Sequence, residues 1–287
     1  MGFGCHPVVL GGEVAYSGPD FIGELRRRVE LLRGGICIFF QGAAGNVLPL
    51  EAFIDHPGAE IAMGARLGLE AVHAVIDKDP RVIEIKHISY GSVTPISLYR
   101  KEAVSPQPTQ PIASLRKVLN LPLNSPLTID EMEKELADRQ EDFDSKIKSG
   151  AGRDLLNPIG YHISWLTEIL QMAKVGTIPE YIEGEIWVAR MGDTAIVGTP
   201  GELFTELGAE VRRRSPFETT IFAGYCQGVL GYVSTAEEYQ WGGYEPTVAQ
   251  RGYGHPAPFS PEAGRILVEE SVLLLEKLKM NYSPISL

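Results

Sequence analysis

The pattern of apolar and polar positions predicts strands alternating with helices along most of the chain. Helical spacing predicts helices over residues 20–33 and 58–77, another that has Glu202 in its first turn and ends at Arg214, and a last one from about 261 to 278. Short apolar or β-branched runs predict strands within residues 36–40, 81–98, 183–197 and 219–223. This alternation indicates an α/β fold with a mixed β-sheet core and flanking helices.

Residues 105–178 interrupt the alternation. Repeated prolines between residues 105 and 126 predict an extended surface connection. Two helical stretches follow, 128–148, which opens with a Thr128–Glu131 capping box, and 154–174, which is apolar along one side. We therefore expect a helical hairpin of about 105–178, inserted into one domain spanning residues 1–287. Its apolar face is expected to pack on that domain, with peripheral membrane contact as the alternative.

Composition narrows the functional classes. The chain is 44% hydrophobic with a formal net charge of −11, which fits a globular protein and argues against a nucleic-acid binder, since phosphates require a basic surface. Its three cysteines lack metal-site spacing and favour a reducing compartment, the cytoplasm first. No apolar run is long enough to cross a membrane, and the start lacks a signal-peptide pattern. The sequence leaves the oligomeric state open.

The first ten residues resemble a buried strand that enters a loop. We therefore expect the chain to begin inside a domain, with a further segment upstream of Met1.

Polar residues just beyond apolar strands are the candidates for chemistry, because a rigid sheet edge positions loop atoms. His6 follows one such strand, Glu202 follows another after Gly-Thr-Pro-Gly, and Tyr232 lies in a loop rich in glycine and aromatic residues. Each also has a simpler structural interpretation: a hydrogen-bonded histidine, a carboxylate that complements a helix dipole, and a packed aromatic loop. Gly42-Ala-Ala-Gly45 faintly suggests a phosphate loop, but it lacks the Walker lysine and a third glycine.

Taken together, these loops resemble the neutral/alkaline ceramidase family. The similarity rests on Cys5-His6-Pro7, Thr-Pro-Gly-Glu202 and Gly231-Tyr232-Val-Ser-Thr-Ala-Glu-Glu-Tyr239, which occur in the family's order. Asp20-Phe-Ile-Gly23 and the segment Gln41–Pro49 occur in the expected places between them.

The resemblance implies a zinc-dependent hydrolase of the amide bond in an N-acyl lipid or related small amide, acting in sphingolipid metabolism. In that family two histidines, a glutamate and a tyrosine hold the zinc ion. By resemblance His6, Glu202 and Tyr232 are three of these ligands, and Tyr244 lies near the scissile carbonyl. Asp20 is expected either to orient His6 or to begin a helix.

Two departures from the family pattern keep an alternative open. The family's other zinc histidine belongs to a Thr-His-Thr-His-Ser-Gly-type segment that has no counterpart here, so we expect the fourth ligand upstream of Met1. Leu48 replaces the serine proposed as the family's nucleophile, which leaves a zinc-activated water as the expected route. The alternative is a non-catalytic binding protein on the same fold, and a nucleotide-binding module is a more distant one.

Overall fold

The computed structural model describes residues 1–15, 17–76, 82–89, 97–105 and 112–281. They include seven α-helices: α1 (Asp20–Arg33), α2 (Ala59–Val75), α3 (Ile129–Lys148), α4 (Arg153–Val175), α5 (Thr205–Arg214), α6 (Tyr244–Thr247) and α7 (Pro261–Asn281). They also include ten strands: β1 (Gly2–Phe3), β2 (Phe40–Gln41), β3 (Val82–Ser89), β4 (Ser97–Ser105), β5 (Ile112–Pro122), β6 (Tyr181–Met191), β7 (Thr194–Gly198), β8 (Glu202–Leu203), β9 (Thr219–Ala223) and β10 (Tyr232–Val233). The α/β class is confirmed.

The chain divides into two compact units. Unit 1 comprises Met1, Pro7–Phe39 and Leu48–Ile112, and unit 2 comprises Gly2–His6, Phe40–Val47 and Ala113–Leu287. Of the helices described, none is both long and apolar enough to cross a membrane. Whether residues 1–287 form one domain with an insertion stays a prediction.

Unit 1 is built on the pair α1 and α2, which pack closely. Two glycines of α2 allow this contact, because a Cβ atom on Gly64 would lie 2.3 Å from the carbonyl oxygen of Phe21, and one on Gly68 would lie 2.7 Å from Cβ of Arg28. The strand or hairpin predicted within residues 81–98 is confirmed in part: β3 lies inside these bounds, whereas β4, which pairs antiparallel with it to form a hairpin, runs from Ser97 to Ser105. Its connection, residues 90–96, lies outside the described residues.

The prediction of a buried strand over residues 36–40 is wrong. Only Phe40 and Gln41 form a strand, and Ile36 and Ile38 are 83% and 63% exposed. The backbone of Cys37 bonds to side chains of α1 instead of to a neighbouring strand: its N–H donates to Glu30 and its carbonyl accepts from Arg26. An apolar run alone therefore did not establish strand pairing here.

Unit 2 contains the larger sheet, with strand order β5-β6-β7-β9. The sheet is mixed, since β6 and β7 pair antiparallel whereas β7 and β9 pair parallel. The apolar side chains of the sheet form one core with those of α5 and α7. The fully buried residues of this core include Leu121, Ile186, Val197, Leu267 and Leu275. The predicted strands within 183–197 and at 219–223 and the last helix are confirmed.

The extended connection predicted for residues 105–126 is wrong in part, because Ile112–Pro122 forms β5. Residues 112–121 contain no proline, and Pro122 is the last residue of the strand. The backbone N–H groups of this stretch are therefore available for pairing. Residues 106–111 lie outside the described residues.

The helical hairpin is confirmed over residues 129–175. Thr128 caps α3 through the predicted capping box with Glu131, and α3 and α4 share a small core around Met132, Trp165 and Leu166.

Candidate active site

The site begins with two short parallel strands that bring Glu202 beside Tyr232. In the pairing of β8 with β10, these two residues are register partners, and the N–H of Glu202 donates to the carbonyl of Gly231 at 2.9 Å. Glu202 was predicted in the first turn of a helix, and this prediction is wrong, because α5 begins at Thr205. Strand pairing extends the backbone at Glu202 and turns its side chain towards that of Tyr232.

Glycines make this close approach feasible. Gly201 and Gly231 have φ angles of 102° and 90°, a region that residues with a side chain rarely adopt. A Cβ atom on Gly201 would lie 2.6 Å from the carbonyl oxygen of Gly231, and one on Gly231 would lie 2.8 Å from the ring of Tyr253. A Cβ atom on Gly45 would lie 2.4 Å from the carbonyl oxygen of Glu202.

His6 reaches the same place from the amino-terminal loop of unit 2. Its N–H donates to the carbonyl of Val47 at 3.0 Å, and the side-chain amide of Gln41 donates to the carbonyl of Cys5 at 2.7 Å. Since β1 pairs parallel with β2 just before these contacts, both sides of the loop are fixed.

Five side chains converge here, and we call them the Glu202 cluster: His6, Glu202, Tyr225, Tyr232 and Tyr253. Nε2 of His6 lies 3.6 Å from Oε2 of Glu202 and 3.5 Å from the hydroxyl of Tyr232. Tyr225 donates to Oε2 of Glu202 at 2.8 Å, and Tyr253 donates to Oε1. Only 9% of His6 and 5% of Glu202 is exposed. The carboxylate of Glu202 is therefore buried, and each of its two oxygens accepts a hydrogen bond from a phenol.

The electrostatics of the cluster follow from that carboxylate. Burial raises the pKa of each of the phenols Tyr225, Tyr232 and Tyr253, and the neighbouring Glu202 raises it further. The hydroxyls therefore keep their protons near neutral pH and act as hydrogen-bond donors.

Tyr244 stands at the open side of this cluster. Its ring packs edge-on against Tyr232, with centroids 6.0 Å apart, while 56% of the residue remains exposed. Tyr244 is the first residue of α6, which follows Gly243 with a φ of 112°. This residue is therefore accessible to a molecule that approaches from solution.

Two other residues singled out in the sequence belong to unit 1. The carboxylate of Asp20 accepts hydrogen bonds from the backbone N–H groups of Leu10 and Phe21, at 3.0 and 2.7 Å, and Asp20 begins α1. Its helix-starting role is thus observed, while its proposed influence on His6 stays a prediction. Leu48 is 55% exposed.

Sequence reasoning missed Tyr225 and Tyr253. Both lie in or just after glycine-containing loops that carry several aromatic residues, and nothing in the local pattern distinguishes a tyrosine that packs from one that binds a carboxylate. Only the position of Glu202 gives their hydroxyls a common partner.

The donor set suits a zinc ion. Zinc takes tetrahedral N and O ligands at about 2.0–2.2 Å, so that two of its ligands lie about 3.3–3.6 Å apart. The separations of 3.5 and 3.6 Å from Nε2 of His6 agree with this spacing. Within the described residues no group of three or more His, Cys, Asp and Glu side chains is arranged to hold a metal; the third donor here is a tyrosine.

Comparison with known proteins identifies the fold. One similar structure is a ceramidase complexed with C2, with a TM-score of 0.55 and 15% sequence identity over 98% of this chain and 45% of that one. Another is the neutral ceramidase from Pseudomonas aeruginosa, with a TM-score of 0.54 and 15% identity over 98% of this chain and 44% of that one. The chain thus spans less than half the length of either protein. No family model and no curated protein matched the sequence.

The resemblance expected from the sequence motifs is therefore confirmed at the level of the fold. At 15% identity the likeness does not extend by itself to activity, which depends on particular side chains.

Proposed function

We propose that this chain carries the site of a zinc-dependent hydrolase that cleaves the carbon–nitrogen amide bond of an N-acyl lipid or a related small amide. The observation that supports this most directly is the position of Nε2 of His6, which lies 3.6 Å from Oε2 of Glu202 and 3.5 Å from the hydroxyl of Tyr232. The fold shared with ceramidases favours a lipid amide as the substrate class.

His6, Glu202 and Tyr232 would hold the metal. When bound, zinc polarises a carbonyl group and activates water for attack near neutral pH. Catalytic zinc sites commonly use three protein ligands, with a further position left for water or substrate, and the fourth protein ligand expected from the family resemblance stays a prediction.

The remaining residues have roles that follow from their contacts. Tyr225 and Tyr253 bind the two oxygens of Glu202 and restrict its rotation. Tyr244 is more than half exposed beside Tyr232, and its hydroxyl would donate to the carbonyl oxygen of a bound amide, whose negative charge grows during attack. The net reaction adds water across the amide bond and releases a carboxylate and an amine.

Leu48 supports an alternative, in which the same fold binds an amide lipid without cleaving it. Leucine offers no nucleophile where the ceramidase family has a serine. Hydrolysis that depends on Glu202 would contradict this alternative, whereas binding of an N-acyl lipid without turnover would favour it.

The test compares the wild type with Glu202→Ala on the full chain. Zinc content is measured by elemental analysis and zinc affinity by chelator competition, and hydrolysis is followed on N-acyl sphingoid lipids and short N-acyl amides. We expect the wild type to bind one zinc ion and the variant to lose on the order of 100-fold or more in activity.

Glu206→Ala is the matched control. Glu206 is an exposed carboxylate in the first turn of α5 that accepts a hydrogen bond from Asn46, and its removal should leave zinc affinity and hydrolysis unchanged. Equal hydrolysis by the wild type and Glu202→Ala would refute the proposal.

A further inference from the structure

The hydroxyl of Tyr225 touches the carboxylate of the Glu202 cluster and the Nδ1 side of its histidine. It lies 2.8 Å from Oε2 of Glu202 and 3.2 Å from Nδ1 of His6. A phenol has a single proton to donate, and a carboxylate can only accept. Because that proton goes to Glu202, the hydroxyl oxygen of Tyr225 is left to accept from Nδ1 of His6.

We infer that Tyr225 is a positioning residue that fixes His6 as the Nδ1–H tautomer. In this tautomer the lone pair lies on Nε2, the nitrogen that is 3.5 Å from the hydroxyl of Tyr232 and 3.6 Å from Oε2 of Glu202. A metal-binding histidine requires such a free lone pair, and the hydrogen bond at its other nitrogen determines which one is free. The consequence for zinc rests on the proposed function, but the tautomer itself does not.

The hydroxyl of Tyr232 is compatible with this assignment, because it keeps its proton and lies 3.5 Å from Nε2, where it faces the lone pair. That lone pair also faces a carboxylate oxygen of Glu202 at 3.6 Å. Two electron-rich atoms that face each other in a buried space favour a cation between them. The hydroxyl of Tyr225 thus prepares a site that attracts a positive ion.

The backbone at Tyr225 is held in an unusual conformation that supports this role. Its φ angle is 57°, in the left-handed region that a bulky residue rarely occupies. Backbone hydrogen bonds hold the residue in this conformation. The backbone N–H of Tyr225 donates to the carbonyl of Gly201 at 3.1 Å. On either side, the N–H of Gly224 donates to the carbonyl of Gln41 and the N–H of Cys226 donates to the carbonyl of Thr199, each at 2.9 Å. The loop therefore fixes the direction of the phenol before any metal binds.

The decisive experiment reads the tautomer of His6 directly in the zinc-free full chain. Nitrogen-15 labelling of the six histidines and long-range proton–nitrogen NMR at about pH 8 distinguish Nδ1–H, Nε2–H and doubly protonated rings, and the His6→Gln variant identifies the His6 signals. We expect Nδ1–H in the wild type. In Tyr225→Phe, which keeps the ring and removes the hydroxyl, we expect a mixture or a shift to Nε2–H.

Tyr253→Phe is the matched control. It removes another hydroxyl from the same carboxylate, yet the hydroxyls recorded beside the His6 ring are those of Tyr225 and Tyr232. We therefore expect the Nδ1–H pattern of His6 to persist in Tyr253→Phe. A loss of this pattern in both variants would assign the effect to the carboxylate and contradict the role of Tyr225.

Zinc affinity measures the consequence. By chelator competition, Tyr225→Phe should bind zinc about 10- to 100-fold more weakly than the wild type, as is usual when the partner of a metal-binding histidine is removed. An Nε2–H or doubly protonated His6 in the wild type, or an unchanged tautomer in Tyr225→Phe, would overturn the inference. A wild type that has the Nδ1–H tautomer but binds no zinc would instead refute the proposed function and support the assignment of Tyr225.

Discussion

The described residues of unit 2 include two histidine–glutamate pairs that differ in what surrounds the carboxylate. We call the second the Glu135 cluster, formed by Glu135 of α3, His162 of α4 and Arg251. There the guanidinium of Arg251 binds Glu135 at 2.7 Å, His162 lies 3.1 Å from the same carboxylate, and the guanidinium stacks 5.0 Å above the ring of Trp165. In the Glu202 cluster the corresponding partners are phenols.

The difference shows why a nearby histidine and glutamate do not by themselves indicate a metal site. In the Glu135 cluster a permanent positive charge already neutralises the carboxylate, so a metal ion would have to displace arginine. In the Glu202 cluster phenols solvate the carboxylate without cancelling its charge, and the buried site still favours a cation. The first arrangement joins the helical hairpin to the short 3-10 helix Ala249–Tyr253, and the second is the proposed ion site.

The largest expected effect is a difference in zinc affinity between variants that lack the histidine of one cluster or of the other. His6→Ala removes a donor atom of the Glu202 cluster and should weaken zinc binding by at least about 100-fold. His162→Ala removes the histidine of the Glu135 cluster and should leave zinc affinity unchanged. Chelator competition on both variants measures this, and similar affinities for the two would remove the distinction between the clusters.

A smaller effect is expected from the glycine that packs against Glu202. Gly45→Ala would place a Cβ atom 2.4 Å from the carbonyl oxygen of Glu202, so the backbone on one side must move. We expect a loss of about 1–3 kcal/mol in the free energy of unfolding together with weaker zinc binding. Urea unfolding of the zinc-free protein and chelator competition measure the two quantities.

Gly252→Ala provides the control for that change, because a Cβ atom there would meet nothing within 4 Å. It should alter neither stability nor zinc affinity appreciably. If Gly45→Ala were equally harmless, the close packing around Glu202 would not be needed for the site.

The smallest expected effect is a pH dependence that arises in the Glu135 cluster. Burial lowers the pKa of His162 and the charge of Arg251 lowers it further, whereas Glu135 opposes the change. As the pH falls below about 6.5, the unfolded chain takes up a proton at this histidine before the folded chain does. The contribution of His162 to the free energy of unfolding is therefore fully present above that pH and decreases below it.

Replacing the histidine tests this dependence. His162→Gln should lose less stability than the wild type between about pH 7.5 and about pH 5.5, as measured by urea unfolding with a chelator present. Part of the wild-type dependence should remain, because burial also lowers the pKa of His255. Identical pH dependence in the two proteins would show that His162 is not held in its neutral form by the fold.

Much of the secondary structure was predictable from the sequence because it depends on local spacing. Helix α1 has the predicted bounds of residues 20–33, strand β9 those of 219–223, and the capping box at Thr128 begins α3 as expected. The prediction of a strand over residues 36–40 was wrong because an apolar run does not specify whether a partner strand lies beside it. The prediction of an extended connection over residues 105–126 was wrong in part because the positions of the prolines, rather than their number, determined where a strand was allowed.

The candidate site was predictable in part. The order of the motifs singled out His6, Glu202, Tyr232 and Tyr244, and the structure brings the first three within hydrogen-bond or ion-pair distance and places Tyr244 against Tyr232. The roles assigned to these residues stay predictions until zinc binding and hydrolysis are measured.

The sequence alone determined the order of most helices and strands and the types of donor atom at the loops, since both depend on residues close together in the chain. Tertiary structure alone decided which donors meet. The contact between Tyr225 and His6 joins residues 219 positions apart, and the register of β8 with β10 brings Glu202 beside Tyr232. Local preferences cannot encode such pairings, because a phenol acquires a role here only after long-range strand pairing has put a buried carboxylate within its reach.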